Sequence, residues 1–496
     1  MKGYRKRIAL LLLASSLTVI GCGLSNPLES FREGATISPQ DSATYTEQRR
    51  KKGTPAPTIA PSIAPTSVPS IAPTFDPILD PIADPDPIPT AASLYFLYVS
   101  TTGNDSNSGT QASPLRTISA AAGKAKPSTT ILIAGGTYYE QVVTKVAGAA
   151  GQEIIFKSYN GTAVIDGSKL SWAINGNQNQ GLFEFRHPYV RLNGLKITNS
   201  KNSGVVFSAD NVTVNGCEVS QIQHHAISTH TSYQTNAPDS YRKNIRNVTI
   251  SNNNVHHAVL GNNGQAISLI ADGFTVSGNS VHDIQKEGID IWLGSKHGAV
   301  FGNTVYNCTT STGMFVDGAS YVRIYNNRSY NNRHGIVISS EASNYTTHHL
   351  WVYDNCFYDN REQGFAIWDP NTGPTNILIA NNTIVSNPVG LAFSGSSLSA
   401  EAMNNLIYAP QKAVANGSSN SSINVHDNTT ITGLTGFVGA SSKNFALASG
   451  SPAINKGKAI PTFSDDQGRT FSVTKDFAGR TRVVNGYPDA GAHEFQ

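Results

Sequence analysis

One asparagine recurs along the chain as Asn253, Asn279, Asn303, Asn327, Asn355, Asn382 and Asn405, at spacings of 26, 24, 24, 28, 27 and 23 residues. Between these asparagines lie short runs of alternating apolar residues, each begun by a glycine: Gly288-Ile289-Asp290-Ile291, Gly313-Met314-Phe315-Val316, Gly335-Ile336-Val337-Ile338, Gly364-Phe365-Ala366-Ile367 and Gly390-Leu391-Ala392-Phe393. A repeat of about 24 residues therefore holds two or three strands of roughly four residues with sharp turns, and leaves no room for an amphipathic helix. Such a unit cannot bury its apolar face alone. Coils stacked at about 4.8 Å bury a continuous core, align like residues as ladders, and let the asparagines hydrogen-bond along the axis. A propeller blade needs about 40 residues, and leucine-rich repeats would show Leu where this chain has Asn and Val.

The pattern resembles the right-handed parallel β-helix proteins of the pectate-lyase-like superfamily, over roughly residues 95–496. Tyr98-Val99-Ser100, Gly103-Asn104-Asp105, Ser113-Pro114, Ile131-Leu132-Ile133 and Gly135-Gly136-Thr137-Tyr138 are similar to the N-terminal cap region of such proteins. Gly450-Ser451-Pro452-Ala453-Ile454 and Asp489-Ala490-Gly491-Ala492-His493-Glu494 resemble their C-terminal closing segment. The expected fold is all-β, with a solenoid and its cap over 93–440 and a closing segment over 441–496. Cys217 falls in the slot that Asn holds in other coils, so Cys217, Cys308 and Cys356 are expected as small core residues. Their spacing fits no zinc motif.

The N-terminus reads differently. Lys2, Arg5, Lys6 and Arg7 precede an apolar run, Ile8 to Ile20, which is too short for a spanning helix but suits an export signal over 1–21. Val19-Ile20-Gly21-Cys22 resembles the bacterial lipobox, which implies lipidation of Cys22 and attachment to a membrane. Gly23 stands where Asp would signal inner-membrane retention, so the analogy favours the outer membrane or cell surface. From Pro57 to Pro89 a proline stands at every fourth position. That density forbids helix and ladder pairing, so 22–92 is expected as a disordered, Pro-rich tether. Removal of the leader leaves 32 basic residues against 33 acidic ones. A nearly neutral chain has no electrostatic footprint for nucleic acid. A monomer is expected.

Counting from each strand glycine, positions one and three point inward, and positions two and four outward. Outward position four holds Trp292, Asp317, Ser339, Trp368 and Ser394; position two holds Asp290, Phe315, Val337, Ala366 and Ala392; Glu341 follows at position six. Asp290, Asp317 and Glu341 thus lie on three successive coils of one face, between outward Trp292 and Trp368. Two carboxyl groups are what glycoside hydrolysis needs, one protonated and one ionised. Neighbouring Cα atoms roughly 8 Å apart on this lattice admit both retaining and inverting geometry.

These segments resemble carbohydrate-active β-helix proteins, including glycosidases with an Asp and a Glu one coil apart. The resemblance implies Asp317 as nucleophile or base, Glu341 as acid and Asp290 as a tuning neighbour. Trp292, Trp368, Arg333 and His230 are expected to contact substrate, a polysaccharide or other glycan. Hydrolysis of this kind needs no metal and no cofactor. The competing reading is a polysaccharide lyase, whose chemistry commonly uses calcium on clustered acids and a Lys, Arg, His or Tyr to take the C5 proton. Lys286, Lys296 and Arg333 stand in nearby turns. A third reading is a non-catalytic, stalked glycan binder. His256, His282, Tyr306, Tyr330, Tyr358 and Tyr408 each follow the ladder asparagine by three residues and are expected to stack along one side. The insertion Thr231 to Asn244 is expected to wall one end of the groove.

Overall fold

The computed structural model describes residues 94–496, except 173–178, 230–244, 309, 342–343, 370–372 and 484–485. The leader, Cys22, the Pro-rich tether, His230 and the insertion Thr231 to Asn244 lie outside the described residues. The remainder is an all-β parallel solenoid. Each coil contributes three strands, as in Glu287–Trp292, Lys296–Phe301 and Thr304–Cys308. The first type of strand stacks into an 11-stranded sheet, here termed the site wall. The other two types form a second and a third wall joined in one 23-stranded sheet. Successive coils pair in parallel and in register, for example Ile289↔Met314 and Ile291↔Val316.

Alternation drives the core. Ile289, Ile291, Met314, Val316, Ile336, Ile338, Phe365 and Ile367 are at most 2% exposed and stack inside the site wall. At about 2 kcal/mol for each fully buried aliphatic side chain, this column supplies a large share of the driving force for coil stacking. The corner between the second and third walls is held by the asparagine ladder. Asn303 Nδ2 donates to Asn327 Oδ1 at 2.9 Å, and Asn327 Nδ2 to Asn355 Oδ1 at 2.9 Å. Cys217 takes the ladder slot, its N–H donating to Asn253 Oδ1 at 2.9 Å, and the three described cysteines are free and buried. A second ladder, Asn332, Asn360 and Asn387, holds the corner between the third wall and the site wall.

Outside the third wall, His256, His282, Tyr306, Tyr330 and Tyr358 form a continuous stack with ring centroids 5.1, 4.8, 5.0 and 4.7 Å apart. Tyr408 does not join it, because Val385 occupies the coil between Tyr358 and Tyr408. At the N-terminal end, the helix Ile118–Lys124 packs Ile118, Ala121 and Ala122 into the solenoid core. Thr117 Oγ1 accepts the Ala120 N–H, and Glu140 accepts those of Ile118 and Ser119, satisfying the open helix terminus. The C-terminal residues run back along the outside of the solenoid, where buried Arg482 pairs with Asp354 and Glu494.

Candidate active site

The strand glycines of the site wall point inward. A Cβ on Gly288 would lie 2.5 Å from Val305 Cγ1, 2.6 Å from Gly313 O and 3.0 Å from Cys308 Sγ. Since Ile289 is also inward, alternation breaks at this pair, and the residue before the glycine faces outward. The wall therefore carries three outward rows where the alternation rule gives two. The added row runs Gln265, Glu287, Thr312, His334, Gln363, Val389 and Lys412. The middle row includes Ser268, Asp290, Phe315 and Val337, and the far row Trp292, Asp317 and Ser339.

Asp317 anchors the site. Its Oδ1 accepts the backbone N–H of Glu341 at 2.7 Å, and its Oδ2 faces Trp292 Nε1 at 3.3 Å. Behind it, the longer connection after Ser339 folds back: Thr347 Oγ1 accepts the N–H of Gly318 at 2.7 Å, and Thr347 N–H donates to Ser340 Oγ. This enclosure corrects the expectation of a solvated face. Asp290, Asp317 and Ser339 do point away from the core, yet they are 1%, 2% and 0% exposed. Glu341 alone of the three acids reaches solvent.

Burial and charge set the protonation states. The Glu341 carboxyl is pushed up to about 7, first by desolvation against the wall and then by the charges of Asp317 and Glu287. Asp290 is held well above the ordinary carboxylate range by desolvation, with Glu287, Asp317 and Glu341 adding to the effect. Its Oδ1 has no hydrogen-bond partner, nor has the buried Oε2 of Glu287, whose Oε1 accepts from Ser311 Oγ at 2.7 Å. Lys286 acts on both Asp290 and Glu341 in the opposite direction. The arrangement offers two carboxyls that hold their protons more tightly than usual, Asp290 and Glu341, beside Asp317, which already receives N–H donors.

The structure thus brings Asp290, Asp317, Glu341 and Trp292 together. Trp368 keeps its place in the far row, level with Ser394 and beyond Ser339. Arg333 stands apart: it precedes His334 at the opposite end of the strand from Ser339, and its Nε donates to Glu362 Oε1 at 2.7 Å. Glu287 was not among the expected acids, because strict alternation turns it inward; the recurrent glycine beside it was the available signal. Among the described residues no group of three or more His, Cys, Asp or Glu is arranged to hold a metal ion.

A solenoid of stacked three-strand coils, with acids and a tryptophan clustered on one wall, belongs to the class of parallel β-helix proteins. Residues 97–405 match the family described as Pel9A-like, right handed beta helix region, and the chain belongs to that family. It is also similar to the uncharacterized protein YwoF of Bacillus subtilis (strain 168), with 30% identity over 345 residues, or 61% of this chain and 71% of the relative. Two solved structures share the fold: pectate lyase Pel9A, at 18% identity and TM-score 0.52 over 82% of this chain and 97% of that one, and XylC in complex with xylose, at 12% identity and TM-score 0.52 over 80% and 98%.

Proposed function

We propose that this protein is an exported, lipid-anchored enzyme that cleaves glycosidic bonds of a polysaccharide or oligosaccharide on the site wall. The observation that carries the reading is the pairing of Glu341 with Asp317 across adjacent coils, joined by the 2.7 Å contact from the Glu341 N–H. Glu341, pushed up to about 7, is protonated often enough at neutral pH to donate to the leaving oxygen. Asp317 acts as nucleophile, or as the base that activates water. Asp290, whose buried carboxyl is pushed well above the ordinary range, tunes the charge around Asp317 and Glu341 from behind the surface. Trp292, and Trp368 farther along the row, offer apolar ring surfaces to the C–H faces of sugars. This chemistry needs no cofactor. Cys22 carries the lipid, and the prolines of 57–89 hold the solenoid away from the membrane at the cell surface or outer membrane.

Incubation with xylan, pectin, alginate and host-type glycans, read for new reducing ends, tests the hydrolase. Loss of activity in Asp317→Asn and in Glu341→Gln with the fold intact is the expected result; full activity in both removes the assignment. Cys22→Ser is expected to release the protein from membranes.

A second reading, a polysaccharide lyase, draws support from membership of the Pel9A-like family and from Lys286, a candidate base whose charge acts on Asp290 and Glu341. It would produce unsaturated uronate absorbance, lost on chelation and restored by calcium. Glycan binding with neither product would identify a stalked binder.

A further inference from the structure

The second wall carries a separate cleft of about 420 Å³, within the range of small-ligand sites. Its floor is a column of outward side chains in register on successive coils, Leu378, Glu401 and Asn424. Asn376 and Ser399 flank this column. Opposite it stands the segment Pro461 to Phe463, which gives the cleft its second side.

That second side is fixed. Phe463 stacks on Trp351 with centroids 4.6 Å apart, Arg323 covers Phe471 at 4.0 Å, and His297 Nε2 contacts Asp466 Oδ1 at 2.5 Å while its Nδ1 contacts Asp272 Oδ1 at 2.6 Å. A cleft held open by such contacts loses little freedom when a ligand enters.

The lining also restricts the ligand. Leu378 is a half-buried apolar step, while exposed Asn376, Asn424 and Thr462 present amide and hydroxyl groups around it. Among the described lining residues the one ionisable side chain is Glu401, whose Oε1 is paired with His426 Nε2 at 3.0 Å. Among the described residues no lysine or arginine lines the cleft to receive a carboxylate or sulfate. Coils repeat at about 4.8 Å, close to the length of one pyranose unit, so the column offers like-spaced contacts to consecutive sugars.

We propose that this cleft is a non-catalytic binding site for a neutral glycan chain, occupied independently of the site wall. A polymer held there raises its local concentration at the wall where cleavage is proposed, without any new contact to the reacting bond.

The test is calorimetric titration of the full-length protein with xylohexaose, cellohexaose and mannohexaose, and with hexagalacturonate as the charged comparison. At least one neutral hexasaccharide is expected to bind. Its affinity is expected to fall at least tenfold in Leu378→Arg, which fills the cleft, and severalfold in Asn424→Ala, which removes one polar contact and keeps the wall. Binding is expected to persist in the double variant Trp292→Ala, Asp317→Asn, so this outcome does not depend on the proposed cleavage. The proposal is overturned if no neutral hexasaccharide binds, if only hexagalacturonate binds, or if affinity is unchanged in Asn424→Ala and Leu378→Arg with their melting temperatures preserved.

Discussion

The backbone N–H of Glu341 donates to Oδ1 of Asp317 at 2.7 Å, tying an exposed acid to a buried carboxylate on the preceding coil. The bond is made by the main chain, so replacing the Glu341 side chain leaves it in place. Glu341→Gln is therefore expected to fold as the parent does while losing the proton donor, with kcat falling about 10²–10⁴-fold. Steady-state rates on the best polysaccharide, alongside an unchanged melting temperature, check this.

Glu287 contributes to the pH at which that donor works. Its charge is one of the influences that push the Glu341 carboxyl up to about 7. An acid must be protonated to act, so the rate should fall as pH rises through this value. Removing the negative charge in Glu287→Gln makes Glu341 easier to ionise and moves the falling limb to lower pH. A pH profile of kcat reads the shift, and an unmoved limb would argue against Glu341 as the acid.

The coil and its core were legible because they are periodic. The asparagine spacing fixed the corner, and alternation from Ile289 to Trp292 and from Met314 to Asp317 fixed which residues face out. The Cys217 slot followed from the same count. The third outward row was hidden because Gly288 and Ile289 both turn inward, a break that no alternating rule contains; the steric reason is visible only when Cys308 and Val305 are seen behind the glycine. Burial of Asp317 was equally illegible, since the fold-back through Thr347 depends on contacts between coils. Arg333 shows what the repeat count leaves out: its pairing with Glu362, 2.7 Å from Nε to Oε1, is a contact between coils that strand position alone does not reveal.

Asp290 should make the protein less stable as pH rises. Its folded carboxyl binds a proton more tightly than the unfolded one, so its stabilising contribution is full below the ordinary carboxylate value of about 3.9 and is lost as pH climbs through the raised folded value. Glu341, raised to about 7, acts with the same sign. Asp290→Asn keeps the shape and cannot ionise. Thermal unfolding from pH 5 to pH 8 is expected to show a smaller loss of Tm in this variant than in the parent; identical slopes would contradict the account.

Asn327 is a central rung of the ladder. Its Oδ1 accepts from both Nδ2 and N–H of Asn303 at 2.9 and 3.0 Å, and its Nδ2 donates to Val300 O and to Asn355 Oδ1 at 2.9 Å. Asn327→Ala leaves those buried partners without it, at a cost of about 2–4 kcal/mol. Denaturant unfolding monitored by far-UV circular dichroism measures the loss. The exposed Asn424, which makes no such ladder contact, should tolerate alanine within about 0.5 kcal/mol.

Arg482 fastens the C-terminal segment to the solenoid. Its guanidinium pairs with Asp354 and lies 3.7 Å from Glu494, and it donates to the carbonyls of Gly491 and Ala492 at 3.2 Å, all within a buried setting. Burial pushes the Asp354 carboxyl up, and the Arg482 charge opposes that push. Arg482→Leu removes the cation and leaves buried acids and carbonyls without their donor, so it should cost about 3–5 kcal/mol. Adding Asp354→Asn removes one stranded acid and should recover part of the loss, because an amide buried there has no charge to compensate. Limited proteolysis separates this local role from a general one: the single variant should be cut first within residues 460–496, while the coils from Gln265 to Trp368 stay protected. Cleavage that begins in those coils would show that the clasp is not what Arg482 secures.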